Sequence, residues 1–171
     1  MWVLDFEASG LSNLSYPVEV GFTNGEEAYS FLIKPMDHWK YWDMKAQDIH
    51  GIEREYLNEK GTDALEIVEF LNSTLKGSVV YCDVIKWDGF WLNVLFSDNG
   101  VSPAFELIDI QGIFENTADL NNYMVKNEEL NNSGSYKKHR ALDDAEVIYN
   151  SLEYLLYQRE KINAQSRSSL E

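Results

Sequence analysis

At 171 residues, 44% hydrophobic and with five tryptophans, the chain suits one packed domain rather than intrinsic disorder. Its 29 Asp and Glu against 14 Lys and Arg give a formal charge of −15. That balance argues against a long-duplex binder, which carries a basic stripe to neutralise phosphates.

In chain order, residues 2–6 read as a short strand. Residues 17–23 (PVEVGFT) and 27–33 (EAYSFLI) flank Asn24-Gly25, a two-residue hairpin signal. The aromatic-rich stretch MDHWKYWDMKAQDIHGI is expected to be helical in part. Residues 62–75 place Leu65, Val68, Leu71 and Leu75 near helical spacing and end at Gly77. SVVYC (78–82) reads as a strand, 87–97 as an apolar helix and FELID (105–109) as another strand. The polar, Asn-rich stretch 116–135 is expected to hold at most short helices. Ala141, Ala145, Ile148, Leu152 and Leu155 mark one face of a long last helix. This order predicts an α/β domain, a mixed sheet covered by helices. The domain is expected over residues 1–164, with a flexible tail over 165–171.

No apolar run approaches the ~20 residues of a membrane helix. The start shows no basic segment ahead of an apolar one, so no secretory signal is expected. The single cysteine, Cys82, permits no intrachain disulfide, and a cytoplasmic location is the natural expectation. Cys82 itself reads as a small core residue. Oligomeric state is not legible; a homodimer is compatible with the sequence but has no signature in it.

Three acidic motifs interrupt this apolar pattern. Asp5 and Glu7 lie two apart on a strand, so they share one face while Leu4 and Phe6 share the other. Two strand residues span about 6.5 Å, a spacing that lets two carboxylates flank a metal pair about 3.5–4 Å apart. A strand end reaching solvent would also tolerate both acids. Asp88 falls in IKWDGFWLNVLF, where a buried charge needs a partner, a metal or the helix N-terminus. Asp83, just after the preceding strand, is a rival for the same role. HRALDDA (139–145) opens the last helix: Asp143 and Asp144 fall in its first turn, where the helix dipole favours acids anyway. His139 lies just upstream, a residue type suited to proton transfer near neutrality.

Together these motifs resemble the DEDDh superfamily of 3′→5′ exonucleases, which includes proofreading subunits, oligoribonuclease and ribonuclease T. DFEASGL (5–11) is similar to the family's Asp-x-Glu-Thr-Thr-Gly-Leu, WDGFWL (87–92) to its Phe-Asp-x-x-Phe-Leu, and HRALDDA to its third motif. HGI (50–52) is a further likeness, and the similarity spans roughly residues 2–155. Ala8-Ser9 stand where Thr-Thr is frequent, Trp87 and Trp91 replace phenylalanines, and Asp83 replaces a neutral polar residue. The resemblance implies a ribonuclease H-like mixed sheet of about five strands, antiparallel hairpin strands first and parallel strands after, flanked by helices. It also implies that Asp5, Glu7, Asp88 and Asp144 hold two divalent ions, Mg²⁺ or Mn²⁺, with His139 as general base. The reaction would be hydrolysis of terminal phosphodiesters of single-stranded RNA or DNA to nucleoside 5′-monophosphates, the partner being a 3′ end or short oligonucleotide. Phe6, Ala8, Leu11 and His50 are substrate-binding candidates by resemblance, although Phe6 faces away from the acids on a regular strand. Trp42 and Trp39 are candidates as aromatic stacking surfaces.

Three rivals remain. A non-catalytic module of the same fold would keep the residues and lose the activity. An unrelated acidic domain would bind calcium or a basic protein partner; a calcium binder would most often show an Asp-x-Asp-x-Asp-Gly loop, and the chain has none. A glycosidase needs two carboxylates and has no use for four plus a histidine.

Overall fold

The computed structural model describes residues 1–168, with side chains through residue 165. Strands β1 (Trp2–Ala8), β2 (Pro17–Thr23) and β3 (Ala28–Leu32) come first, then helices α1 (Met44–His50), α2 (Arg54–Lys60) and α3 (Ala64–Leu75). β4 (Val79–Cys82), α4 (Ile85–Asp98) and β5 (Glu106–Asp109) follow. A 3₁₀ turn (Ile110–Ile113), α5 (Thr117–Asn132) and α6 (Ala141–Ser168) complete the described chain. The sheet order is β3-β2-β1-β4-β5, with β3, β2 and β1 antiparallel and β1, β4 and β5 parallel. This is the mixed five-stranded architecture implied by the sequence, on an α/β, ribonuclease H-like plan. Of the expected tail, residues 165–168 are helical, and 169–171 lie outside the described residues.

Side-chain alternation along β1 divides the interior in two. Leu4 and Phe6 enter the larger core with Ile67, Val68, Leu71 and Leu75 of α3 and Trp91, Leu92, Leu95 and Phe96 of α4. Val3, from the opposite face, packs under α6 with Ala145, Ile148, Leu152 and Leu155. Asp5 and Glu7 share that second face, so α6 must approach them. On α3 the buried stripe includes Ile67, while Leu65 of the expected set is exposed.

Two stretches depart from expectation. The Asn-rich segment forms α5, a 16-residue helix rather than short pieces. Its apolar stripe is weak, but its ends are chemically fixed. The Asn116 side chain accepts the Ala118 and Asp119 amides, and Asp119 accepts the Glu115 amide in return. Arg159 of α6 then binds Asp119, Glu115 and the Ile113 carbonyl, so tertiary contact supplies what periodicity lacks. The second departure is α2, a short helix that no pattern in the sequence marked.

Candidate active site

Asp5 and Glu7 stand near the carboxyl end of β1, the end of an α/β sheet at which ligands commonly sit. Across the ladder Asp5 pairs with Gly21 and Glu7 with Glu19, and the register shifts just after Glu7. A bulge of this kind re-aims side chains at functional strand ends. Gly21 has a steric role: a Cβ there would lie 2.1 Å from the Leu142 amide nitrogen and 2.3 Å from the Ala141 carbonyl carbon. Only a bare backbone lets the N-terminus of α6 settle on the sheet, and that contact brings Asp144 to the two strand acids.

Asp88 lies in the first turn of α4 and is 2% exposed. Its carboxylate takes the Val84 amide (3.3 Å) and lies beside the Phe6 backbone. One turn on, Trp91 donates its indole N–H to Ser15 (2.9 Å) and stacks on Trp87 at 5.6 Å. Asp83 follows β4 directly and converges on Asp5 and Asp88. The oxygens of Asp5, Asp83 and Asp88 lie within 4.8 Å of one another.

On the other side, Glu7, Asp144 and His139 bring their ligand atoms within the same distance. His139 has left-handed backbone (φ 59°), a conformation non-glycine residues adopt only when their surroundings impose it. Next to it, Arg140 donates from Nε (3.0 and 3.2 Å) and Nη2 to the carboxylate of Glu19, which also takes the Ala141 amide (3.1 Å). Glu19 thereby caps α6 from a distant strand. It was missed from sequence, although it carries the same signal as Asp5, a single acid in an apolar strand.

Packing carboxylates this closely makes ionisation unfavourable. Burial, then the neighbouring acids led by Asp88, holds Asp5 well above the usual carboxylate range. Burial and Asp144 push Glu7 to about 8; burial and Asp83 push Asp88 to about 8. Burial raises Asp144 to about 6 against the opposing pull of His139. Burial also raises Asp83. Crowded hard oxygens with one imidazole at the edge form a donor set that fits Mg²⁺ or Mn²⁺ better than a thiolate-selected metal. All six groups line one cleft of about 440 Å³, together with Trp87 and Trp91 of α4 and Asn127 and Asn131 of α5. The two asparagines were not singled out from sequence, where this polar stretch is expected to hold at most short helices.

A smaller, mostly apolar pocket of about 240 Å³ adjoins the cleft, sharing Glu7, Leu11, Trp91 and His139 and adding Ala8 and His50. Leu11 is 69% exposed at the rim of both cavities. His50 accepts the Ile52 amide at Nδ1 (3.0 Å), which leaves Nε2 to carry the proton, buried beside the Ala8 backbone. Ala8, Leu11 and His50 are thus brought together. Phe6 is absent from that pocket: alternation turns its ring into the larger core, although the residue also lines the acidic cleft. Trp39 is also core, stacked on Tyr16 and bonded to Asp98. Trp42 stands behind His50, edge-on to its ring, with its N–H on Gln47. Cys82 is fully buried, and burial pushes its thiol far up, as suits a core residue.

No protein-family model matches the chain, and no curated protein matches it by sequence. Solved structures do. Exonuclease I in complex with the inhibitor BCBP superposes with a TM-score of 0.71 over 94% of this chain and 41% of that one, at 14% identity. Exonuclease I from Methylocaldum szegediense gives 0.68 over 94% and 40%, at 17% identity. The zinc-bound E. coli exonuclease I–ssDNA complex gives 0.67 over 96% and 42%, at 14% identity. The chain spans about two fifths of these proteins' length. Over that span, it has the fold of exonuclease I.

Proposed function

We propose that residues 1–164 form a single DEDDh-type 3′→5′ exonuclease domain. It would remove nucleoside 5′-monophosphates from the 3′ end of single-stranded nucleic acid. The observation that carries the reading is the meeting, in one cleft, of the trio Asp5–Asp83–Asp88 and the trio Glu7–His139–Asp144. The fold of exonuclease I, one structure of which holds single-stranded DNA and zinc, supports it. We take single-stranded DNA as the first substrate to try.

Asp5, Glu7, Asp88 and Asp144 would hold two divalent ions, with Asp83 beside them. Such ions lower the pKa of an attacking water and offset charge on the departing 3′-oxygen. His139 accepts the water's proton on the nitrogen facing Glu7 and Asp144. The small pocket receives the terminal nucleotide: Ala8, Leu11 and Trp91 offer apolar surface to the base, and His50 is among the residues that line the pocket. This arrangement addresses the acidic composition too, since phosphate would meet cations at the centre and need little basic surface. Grip is then confined to a few nucleotides.

The test is incubation of the protein with 5′-labelled single-stranded DNA and RNA, with Mn²⁺, Mg²⁺ or chelator, beside Asp5→Asn. A metal-dependent ladder shortening from the 3′ end, absent in the variant, is expected. Manganese binding without degradation of either strand would overturn the reading in favour of a non-catalytic module.

A further inference from the structure

We propose that Glu19, acting through Arg140, is a positioning residue that sets His139 over Glu7 and Asp144. The proposal rests on the exonuclease reading above and adds a residue to it that touches neither substrate nor metal.

Glu19 sits on β2 directly across the ladder from Glu7, so the two side chains share a face. Its carboxylate is 1% exposed. Both oxygens are engaged: Oε1 by Arg140 and the Ser30 hydroxyl (3.3 Å), Oε2 by Arg140 Nε and the Ala141 amide. Arg140 is the residue between His139 and the first turn of α6, and its carbonyl accepts the helix's opening bond from Asp144 (2.9 Å). The chain immediately after His139 is therefore pinned by a side chain and by two backbone bonds. On its other flank the exposed residues Ser133, Gly134, Ser135, Lys137 and Lys138 surround half-buried Tyr136, whose hydroxyl accepts a bond from Asn150 of α6 (3.2 Å), a lighter restraint three residues from His139.

This asymmetry accounts for the left-handed backbone of His139. A non-glycine residue pays for that conformation only when its neighbours leave it no other route. A clamped Arg140 fixes where His139 must arrive, and φ 59° is how its imidazole faces the cleft while the chain turns into α6. Misplacing a reacting group by about an ångström costs on the order of 10²-fold in rate, so the clamp bears directly on turnover.

The experiment combines kinetics on 5′-labelled single-stranded DNA with NMR of the full chain in Mg²⁺. Glu19→Gln preserves shape and removes the charge that grips the guanidinium. In the folded variant the Cα shift of His139 should move from its left-handed value toward extended backbone. kcat should fall about 10–100-fold while KM and Mg²⁺ affinity by calorimetry stay within about threefold. In a His139→Ala background the same change should cost kcat nothing further, since the residue being positioned is gone. An unmoved His139 shift, or an equal fall in kcat in both backgrounds, would overturn the proposal. Should Glu19→Gln fail to fold, Arg140→Lys keeps the charge, loses the two-pronged grip and should give the same pattern at smaller size. If the wild-type chain cleaves nothing, the exonuclease reading falls, and the His139 shift still decides whether the clamp exists.

Discussion

The two sides of the acidic cleft are built by different means. Asp5, Asp83 and Asp88 sit within or directly beside β1, β4 and α4, where sheet register and one helical turn place them. Glu7, Asp144 and His139 come together only because the last helix returns across the whole sequence and docks over Gly21, with Glu19 holding its entrance. The first half is set by the pairing of β1 with β4 and holds one deeply buried carboxylate; the second is set by the docking of α6 and holds an exposed histidine. Disturbing the first should chiefly change charge, and disturbing the second should chiefly change position.

The largest effect tests the first half. Asp88→Asn should abolish metal-dependent cleavage by about 10²–10³-fold or more. Because a buried, repelled carboxylate is removed, the same change should stabilise the metal-free protein by about 1–3 kcal/mol at pH 8 in urea titration. Loss of both activity and stability would mean that Asp88 is structural.

Next comes the docking contact. Gly21→Ala puts a Cβ into the backbone of α6, so overpacking should cost about 1–3 kcal/mol. Activity should fall with it, because Asp144 and His139 move together. A variant as active as wild type would show that α6 can shift without disturbing the site.

A third measurement compares pH 5 with pH 8. Glu7 rises from an ordinary 4.5 and Asp88 from 3.8, both to about 8 when folded. Between those limits the folded state binds more protons than the unfolded one. Their contribution is thus complete below about pH 4 and lost as pH rises through about 8. The metal-free Tm should therefore fall from pH 5 to pH 8. Manganese at about 100 times its Kd stabilises by about 2.7 kcal/mol, on the order of 5–10 °C, and should do so more fully at pH 8. A shift that is larger at pH 5 would place the ion away from this cluster.

The smallest effect falls on the shared rim. Leu11→Ala should raise KM about threefold to tenfold with kcat nearly unchanged, since it removes apolar contact and no reacting group. A kcat loss instead would move Leu11 into the chemistry.

What the sequence determined by itself was the part encoded over short range. Alternation along β1 separated Asp5 and Glu7 from Leu4 and Phe6. Asn24-Gly25 marked the hairpin, although its loop runs over four residues, 24–27, rather than two, and the spacing of Ala141, Ala145, Ile148, Leu152 and Leu155 marked the buried face of α6. The tertiary structure alone decided which distant groups meet. It formed α5 by binding Asp119 to Arg159, turned Asn127 and Asn131 toward the cleft, and joined Glu19 to Arg140 across 121 positions. The reason is physical. Strand and helix periodicity is written in neighbouring residues, whereas a buried ion pair or a glycine kept bare for a helix backbone has its cause elsewhere in the chain.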